Sequence, residues 1–584
     1  MRSAIAQVAR RSPMASLELW FLADQARFRQ ERDELEELRS RSEWLTLGAW
    51  RLEDEGIVLD FAIDIGHRIY DAKLRFPQTY PHSPAVVRPQ DPKARWSYHQ
   101  FGAGGDLCLR IRPDNWSSEL LAWQLVQSAY DLLSGENPAS NVYAEVPSAH
   151  LVTEGQRLRT SVSRLSLTQP VREQIESLQA GQVLTGRTVF SFQSIALVRS
   201  ITELQLTAET LWSDPSQPAA LRTESLRGHV FVRRFGDDEE LPRTATYQEF
   251  EEDASKLGWS PESDLLVALQ KDSIYAYSAL GDSIHSVALV YDQLRTPHSR
   301  IGSSEETLSG ARVAVIGCGS MGSKVATMLA RSGVGEFVLI DDDVFHSENL
   351  VRNELDWRDV GHHKVSALSH RIQRVRADAV VSTFQRQLGG QESATSAAAM
   401  LLRLADCNLI VDATANAVVG NILSGFMKDT HVPVVWAEVY GGGIGGLVAR
   451  CRPGVEPSLP LMRRAIENWF AEKGVPTETT SGDYMAELDG VPLIADDSDV
   501  TVIAAHATRM AIDLLSRPSC SHYPDSIYVV GMAPCALFSQ PFEVHPIALP
   551  PPPPTIEKRE LTPELTAEEN NFLRVLVTNR GGGQ

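Results

Sequence analysis

The chain has 584 residues, 43% of them hydrophobic and 22% charged, with 75 acidic against 55 basic residues and a net charge of −20. On a rough scale of about 150 residues per domain it holds three or so domains; its acidic balance argues against a nucleic-acid binder, and no apolar run approaches the ~20 residues of a membrane span. Six cysteines, with no Cys-x-x-Cys pair, indicate a reducing, cytoplasmic setting without a disulfide framework or a zinc site built on such pairs, and the first 20 residues lack the sustained apolar stretch of a signal peptide.

In chain order, a helical pattern over 13–42 comes first. A strand-like stretch at 73–76 leads into Tyr80-Pro81-His82-Ser83-Pro84. His99-Gln100-Phe101, Gly105-Asp106-Leu107-Cys108-Leu109 and Asn115-Trp116-Ser117 follow. A second helical pattern covers 119–133 and stops at Glu136-Asn137-Pro138. Cys108 lies between a glycine-rich turn and two arginines, Arg110 and Arg112, which favour a thiolate; its plainer reading is a small core residue on a short strand. This order of motifs resembles the catalytic core of ubiquitin-conjugating enzymes over about residues 15–150. The resemblance implies an α+β fold of that type, Cys108 as the acyl-carrying nucleophile, and His99 as the first position of a His-Pro-Asn element. Phe101 stands where that family has its oxyanion-stabilising Asn. Either Asn115 or a backbone N–H then does that work, or the acceptor is not a standard lysine. Trp116 reads as packing.

Residues 151–305 carry no catalytic motif. Alternation over 189–208 and again over 229–236 predicts strands, and the block reads as a β-rich adaptor, with the polar stretch 295–309 as a linker. A strand over 313–316 then runs into Gly317-Cys318-Gly319-Ser320-Met321-Gly322, a helical pattern, and a second strand over 337–340 that ends in Asp341-Asp342-Asp343. Strand, glycine loop, helix and acid-tipped strand form the layout of a nucleotide-binding fingerprint. Glycines let the backbone approach a phosphate chain, the helix N-terminus offers N–H groups and a positive dipole end, and a carboxylate about 20 residues on accepts hydrogen bonds from a ribose. The loop alone suits a dehydrogenase as well as an ATP user.

Asn349-Leu350-Val351-Arg352-Asn353, Asp359-Val360-Gly361 and Lys364 come next. Hydride transfer has no need of this Arg and Lys. Nucleotidyl transfer does, because a triphosphate must be neutralised while a carboxylate attacks the α-phosphate. Over about residues 305–550 the chain resembles the superfamily of ubiquitin-activating enzymes and sulfur-carrier adenylyltransferases, with a ThiF-type adenylation domain. The resemblance implies a doubly wound, Rossmann-like domain that uses ATP and Mg²⁺. Gly317, Gly319 and Gly322 would line the phosphates, Asp341 would hold the ribose, Asn349 would frame the pocket, and Arg352 and Lys364 would contact the phosphates; Asp343 reads as a further nucleotide contact or a turn residue. Ser320 replaces one family glycine and Asn353 the family's Gln. Where the family has Asp-x-Thr-Asp-Asn, this chain has Asp412-Ala413-Thr414-Ala415-Asn416. With Ala415 at the second Asp position, the metal's oxygens come from Asp412, from the Asp341–Asp343 pair, or mainly from the nucleotide.

The predicted architecture is therefore α/β and multidomain: a ubiquitin-conjugating-like unit at 1–150, an adaptor at 151–305, the adenylation domain at 306–550, and a proline stop with a tail at 551–584 that contains a helical stretch near 563–577. Order and fusion resemble the bacterial conjugating–activating fusion enzymes of antiphage operons. That implies a ubiquitin-like protein or a nucleotidyltransferase C-terminus as acyl donor, a protein target as acceptor, and a homodimer through the adenylation domain. The donor's carboxylate is adenylated, the acyl group reaches Cys108, and an amine takes it. The intermediate acceptor stays open between direct transfer, a Ser or Thr within 477–498, Cys451 and Cys535. Cys318, Cys407 and Cys520 read as structural or surface thiols. The competing readings are an adenylyltransferase with a non-catalytic N-terminal binding domain, a nicotinamide oxidoreductase, and a scaffold without chemistry.

Overall fold

The computed structural model describes residues 19–136, 153–241, 265–292, 305–475 and 491–551, less short gaps at 54–55, 67, 98, 102–103, 160, 194–195, 225 and 281–282, together with 259, 486–488, 569–571 and 574. The chain divides into two units, residues 1–159 and 160–584. Among the described residues no helix is long and apolar enough to cross a membrane.

In the first unit β1 (Leu45–Glu53), β2 (Gly56–Asp64), β3 (Ile69–Phe76) and β4 (Val86–Pro89) form an antiparallel meander in sequence order. β3 buries alternate residues, Tyr70, Ala72, Leu74 and Phe76, as period-2 patterning requires. Leu35 and Leu38 of the helix Gln25–Arg41 and Leu125, Val126, Ala129 and Leu133 of the helix Ala122–Glu136 complete that core. The helix expected over 13–42 is, where described, two helices, Trp20–Ala23 and Gln25–Arg41. The break is Asp24, whose carboxylate accepts from Arg27 N at 2.9 Å and so caps the second. The helix expected at 119–133 starts three residues later. Its capping acceptors are Gln124 Oε1, for Leu121 N, and Glu31 Oε2, for Ala122 N at 2.8 Å. Glu31 is fully buried and also accepts from Arg27 Nε and Tyr80 Oη, so one carboxylate joins three distant stretches.

The second unit holds two large sheets. The first joins β7 (Ser163–Leu167), β8 (Val183–Gln193), β9 (Ala196–Gln205), β10 (Leu211–Ser213), β11 (Leu226–Arg234), β12 (Leu265–Gln270), β13 (Ser273–Leu280), β14 (Ser283–Ser286) and β15 (Ala288–Tyr291) in the order β14-β13-β12-β11-β8-β9-β7-β15, with β10 against β9. The alternating run at 189–208 is the hairpin of β8 and β9, and 229–236 falls on β11. Residues 305–309 of the expected linker form a short helix, Glu305–Ser309, whose Leu308 packs into the core of the next sheet.

That sheet contains β16 (Arg312–Ile316), β17 (Glu336–Ile340), β18 (Val380–Phe384), β19 (Leu409–Asp412), β20 (Val434–Tyr440), β21 (Gly445–Cys451), β24 (Ile527–Gly531) and β25 (Val544–Pro546) in the order β18-β17-β16-β19-β20-β21-β24-β25. A ribbon of β22 (Ala486–Leu488) and β23 (Val491–Leu493) stands apart from it. The first five strands in that order are parallel and the last three antiparallel. Val313 and Val315 of β16 face one apolar layer, which includes the helices Ser320–Arg331, Lys364–Val375 and Asp497–Ser516. Ala314 and Ile316 face the other, with Ala394–Ala405, Ala417–Thr430 and Leu459–Glu472. Burial on both faces is what the uninterrupted apolar run of β16 requires. Strand order reverses between β16 and β19, and in open sheets of this kind the crevice at such a point is where ligands bind.

Candidate active site

β16 ends at Ile316, and Gly317 turns out of it with φ of 83°, a conformation only glycine takes without strain; a Cβ there would sit 3.1 Å from the carbonyl of Ala413. Gly319 caps the helix Ser320–Arg331. Having no side chain, it leaves that N-terminus without a side-chain cap, and a Cβ on it would meet nothing within 4 Å. Gly322 lies so close beneath the loop that a Cβ would overlap Gly317 O. The result is an open helix N-terminus behind a backbone curve, an anion-binding arrangement.

Asp341, at the tip of β17, is turned onto this loop. Its Oδ2 accepts from Cys318 N at 2.6 Å and its Oδ1 from Asp343 N at 2.8 Å. Burial raises its pKa, while these two N–H groups and the Lys364 charge lower it in part. Asp343 pairs with Lys364, Nζ to Oδ2 at 2.7 Å, the lysine nearly buried and the aspartate exposed. Asn349 lies in a 3-10 turn, Ser347–Val351, and spends its Oδ1 on His346 N at 3.0 Å. Arg352 closes that turn, half-buried, and its guanidinium makes no ion pair or side-chain hydrogen bond among the described residues. Asn353 Nδ2 donates to Cys318 O at 3.3 Å and Glu354 N to Ser323 Oγ at 3.3 Å, so the segment bearing Arg352 is fastened to the glycine loop and its helix. Sequence reasoning noted Asn353 only as a departure from the family's Gln. It missed Lys324, a buried lysine one turn into the loop's helix that pairs with Asp497 at 2.7 Å; the signal was a lone charge among small and apolar residues.

Asp412 ends β19 beside Ile316 on one side and Trp436 on the other. Its Oδ1 accepts from Thr414 N and Thr414 Oγ1, at 3.0 and 2.6 Å, while Oδ2 has no hydrogen-bond partner among the described residues. Burial raises its pKa, and the Thr414 bonds and the Arg463 charge oppose that. Ala415 is left-handed, φ 51°. Among the described residues no three His, Cys, Asp or Glu converge. Asp412 Oδ2 is the oxygen that would hold a Mg²⁺, and one protein carboxylate is enough for an ion that binds through few of them.

One strand beyond Asp412 opens a cavity of about 620 Å³ between β20, β21 and the helix Leu459–Glu472. Trp436, Leu447, Ile466, Phe470, Val529 and Phe538 form its apolar walls. An ion pair sits in it, Arg463 Nη1 to Glu438 Oε1 at 3.1 Å, with the guanidinium carbon 6.0 Å from the Trp436 ring centroid. Burial raises the pKa of Glu438 and of Tyr440 beside it. Cys535 stands on the cavity's rim, exposed, in a turn closed by Cys535 N to Phe538 O, and Leu537 N donates to its Sγ at 3.4 Å. By contrast Cys318, Cys407 and Cys451 are buried; burial pushes Cys318 up and lifts Cys407 and Cys451 to about 12. Cys520 is exposed away from the cavity's walls. Of the Ser and Thr candidates in 477–498, Ser498 is on the helix Asp497–Ser516, and Thr477, Thr479, Thr480 and Ser481 lie outside the described residues, as does most of the tail after 551.

In the first unit, β5 (Gln100–Phe101) pairs with β6 (Asp106–Leu107), and this ribbon sets Cys108 N 2.7 Å from His99 O. Cys108 is half-buried; burial pushes its thiol up and the Arg112 charge pulls it part of the way back. Arg112 is itself held by Asp114 at 2.8 Å. His99 Nε2 is 4.0 Å from Glu136 at the end of the second helix. Both ends of the Asn115 amide are used within its own turn, accepting from Arg112 N and donating to Arg110 O. Phe101 is 56% exposed, and Trp116 packs with its Nε1 on Pro81 O.

Residues 293–480 match the ThiF family, and the glycine loop, Arg352, Lys364 and Asp412 fall within that stretch. The chain is similar to the ATP-dependent ubiquitin transferase-like protein Cap2 of Enterobacter hormaechei, 37% identical over 93 residues, 16% of this chain and 15% of that one. It is similar to Cap2 of Pseudomonas aeruginosa at 25% over 185 residues, 31% of each, and to the sulfur carrier protein ThiS adenylyltransferase of Escherichia coli at 27% over 140 residues, 24% of this chain and 53% of that one. The matched stretches thus span under a third of the two Cap2 proteins. Among solved structures, Escherichia coli MccB with ATP overlaps 44% of this chain and 72% of its own, at 18% identity and a TM-score of 0.34.

Proposed function

We propose that the chain is a bifunctional enzyme that activates the C-terminal carboxylate of a ubiquitin-like protein, or of a comparable protein tail, and conjugates it to an amine on a target. The observation that carries this is Arg352: a half-buried guanidinium without an ion-pair or hydrogen-bond partner among the described residues, fastened through Asn353 and Glu354 to an uncapped, glycine-cradled helix N-terminus. Such a pair of positive features fits a triphosphate. Names of partial relatives, a ubiquitin transferase-like protein and a carrier-protein adenylyltransferase, favour the same chemistry.

In the first step a carboxylate oxygen of the donor attacks the α-phosphorus of ATP. The acyl–phosphate bond forms, the bond to the β-phosphate breaks, and pyrophosphate leaves with its electron pair. Gly317, Gly319 and Gly322 would line the phosphates, Arg352 and Lys364 would neutralise them, Asn349 would frame the pocket, Asp341 would serve the ribose side, and Asp412 would offer a Mg²⁺ a carboxylate oxygen. Mg²⁺ would spread the charge that develops on the leaving group. In the second step a thiolate attacks the acyl carbon and AMP departs. Cys535 is the activating unit's own acceptor in this scheme, since it is exposed on the rim of the adjoining cavity with an N–H directed at its sulfur. Cys108 takes the acyl group by thioester exchange, and an amine then displaces it to form an amide. Residues 1–150 act as carrier and 306–550 as activator, and activators of this kind pair as homodimers.

The raised Cys108 thiol and the committed Asn115 amide favour a second reading, an adenylyltransferase whose first unit only binds. Trapping with Mg-ATP and a small carrier protein, followed by mass spectrometry of wild type, Cys108→Ala, Cys535→Ser and Arg352→Ala, separates the two. The relay predicts thiol-sensitive adducts on Cys108 and on Cys535, both lost in Arg352→Ala. Pyrophosphate exchange that survives Cys108→Ala with no adduct on Cys108 would leave the second reading. No exchange and no ATP binding would sink both.

A further inference from the structure

We infer that the cavity beside Asp412 receives a large apolar side chain from the last few residues of the acyl donor, so that this enzyme selects donors ending in a bulky apolar residue followed by a small one over donors ending in two glycines. The inference rests on the adenylation reading of the preceding subsection, because it needs the donor's carboxylate to reach the nucleotide from this side.

The route is given by register. Asp412 pairs with Trp436 across β19 and β20, and Trp436 is a wall of the cavity. A chain end whose carboxylate lies at the tip of β19 therefore has its preceding side chains within one strand spacing of the cavity mouth. A glycine pair would leave a space of about 620 Å³ unfilled, and such a volume is in the range that accepts several side-chain equivalents. Its walls, Trp436, Leu447, Ile466, Phe470, Val529 and Phe538, are apolar, so they gain by excluding water around a hydrocarbon group. Two polar features suit a peptide backbone. Arg463 lies along the wall against Gly420, where any side chain would approach its guanidinium to 3.4 Å, and it is in reach of the Asp412 charge. The indole N–H of Trp436 is buried with no hydrogen-bond partner among the described residues, which a peptide carbonyl would supply.

Fluorescein-labelled heptapeptides ending in Leu-Gly, Phe-Gly and Gly-Gly, titrated into the full chain with anisotropy as readout, test this. The apolar peptides should bind on the order of tenfold to a hundredfold more tightly, the span expected for burying one such side chain. Filling the cavity by Ile466→Trp should erase the difference, and Val475→Trp at the rim should reduce it; circular dichroism identifies a variant that has lost its fold, and the other then decides. Equal affinity for the three peptides, or a preference that survives in a folded filling variant, overturns the inference. ATP–pyrophosphate exchange with the same peptides keeps the two claims apart. Exchange without discrimination sinks the inference and spares the adenylation reading. Discrimination in binding without exchange by any peptide sinks the adenylation reading as the cavity's purpose.

Discussion

Arg352 carries a full positive charge half-buried beside the glycine loop, and no carboxylate of the described residues answers it. Removing it therefore breaks no ion pair or side-chain hydrogen bond among the described residues. Arg352→Ala should leave unfolding free energy within about 0.5 kcal/mol of wild type while pyrophosphate exchange falls about a hundredfold to a thousandfold, the cost of losing one such donor to a developing charge. A large loss of stability with exchange intact would place the residue in the scaffold. For Cys108 the sign is set by burial, which holds the thiol above its ordinary value of about 8.5. Thiolate is the minor form at neutral pH, so alkylation by iodoacetamide should climb about tenfold per pH unit from pH 7 to 8.5 with no plateau. Arg112→Ala should slow it at any pH in that range, because that charge opposes the shift. A plateau below pH 8 would contradict the burial. At this scale the sequence displayed identities well and partners poorly. Asp341, Arg352 and Lys364 stand out by spacing, but nothing near Asn353 announces that its amide reaches back to Cys318 O.

Elements tell a similar story. β16, the glycine loop and β17 were legible because each signal is local: an apolar run buried on both faces, then glycines where a side chain cannot fit. Gly322→Ala should accordingly abolish nucleotide binding and destabilise the domain, since its Cβ and Gly317 O cannot share one space; isothermal titration with ATP on folded protein checks this. The start of the helix Ala122–Glu136 was not legible, because one of its two capping acceptors, Glu31, lies 91 positions earlier. The cavity was invisible for the same reason. It is lined by β20, β21, β24, one helix and the turn after β24, which no window of sequence contains. That turn hangs on Phe538, whose ring fills the space that side chains at Gly445 and Gly531 would claim. Gly531→Ala should push the ring aside and carry Cys535 with it, lowering adduct formation at Cys535 more than it lowers pyrophosphate exchange. Equal losses in both would mean that the turn and the nucleotide site move together.

At the scale of the whole molecule, Cys108 and the glycine loop with Arg352 belong to different units of one chain. In the proposed relay, tethering would raise the effective concentration of the hand-off to about the millimolar range. A mixture of Cys108→Ala with Arg352→Ala at ~1 μM should then ligate far more slowly than wild type, by on the order of a hundredfold or more, and recover in proportion to concentration. A mixture that regains half the wild-type rate would place the hand-off between protomers. The β-rich sheet of the same unit shows how sequence reading runs out here. Its hairpins β8–β9, β12–β13 and β13–β14 are local, but the rest of the order is fixed by the long-range pairings β11 with β8, β11 with β12, β7 with β9 and β7 with β15.

The Glu31 carboxylate also has a consequence during synthesis. It is committed early in the chain, yet one of its partners, Ala122 N, emerges from the ribosome 91 residues later. At translation rates of about 5–20 residues per second that is a wait of roughly 5–20 s. Through that interval the nascent helix Gln25–Arg41 keeps a charged side chain in water that the finished unit buries completely. The arrival of residue 122 is therefore a checkpoint, and a ribosome stalled before it should display a first unit that proteases still cut.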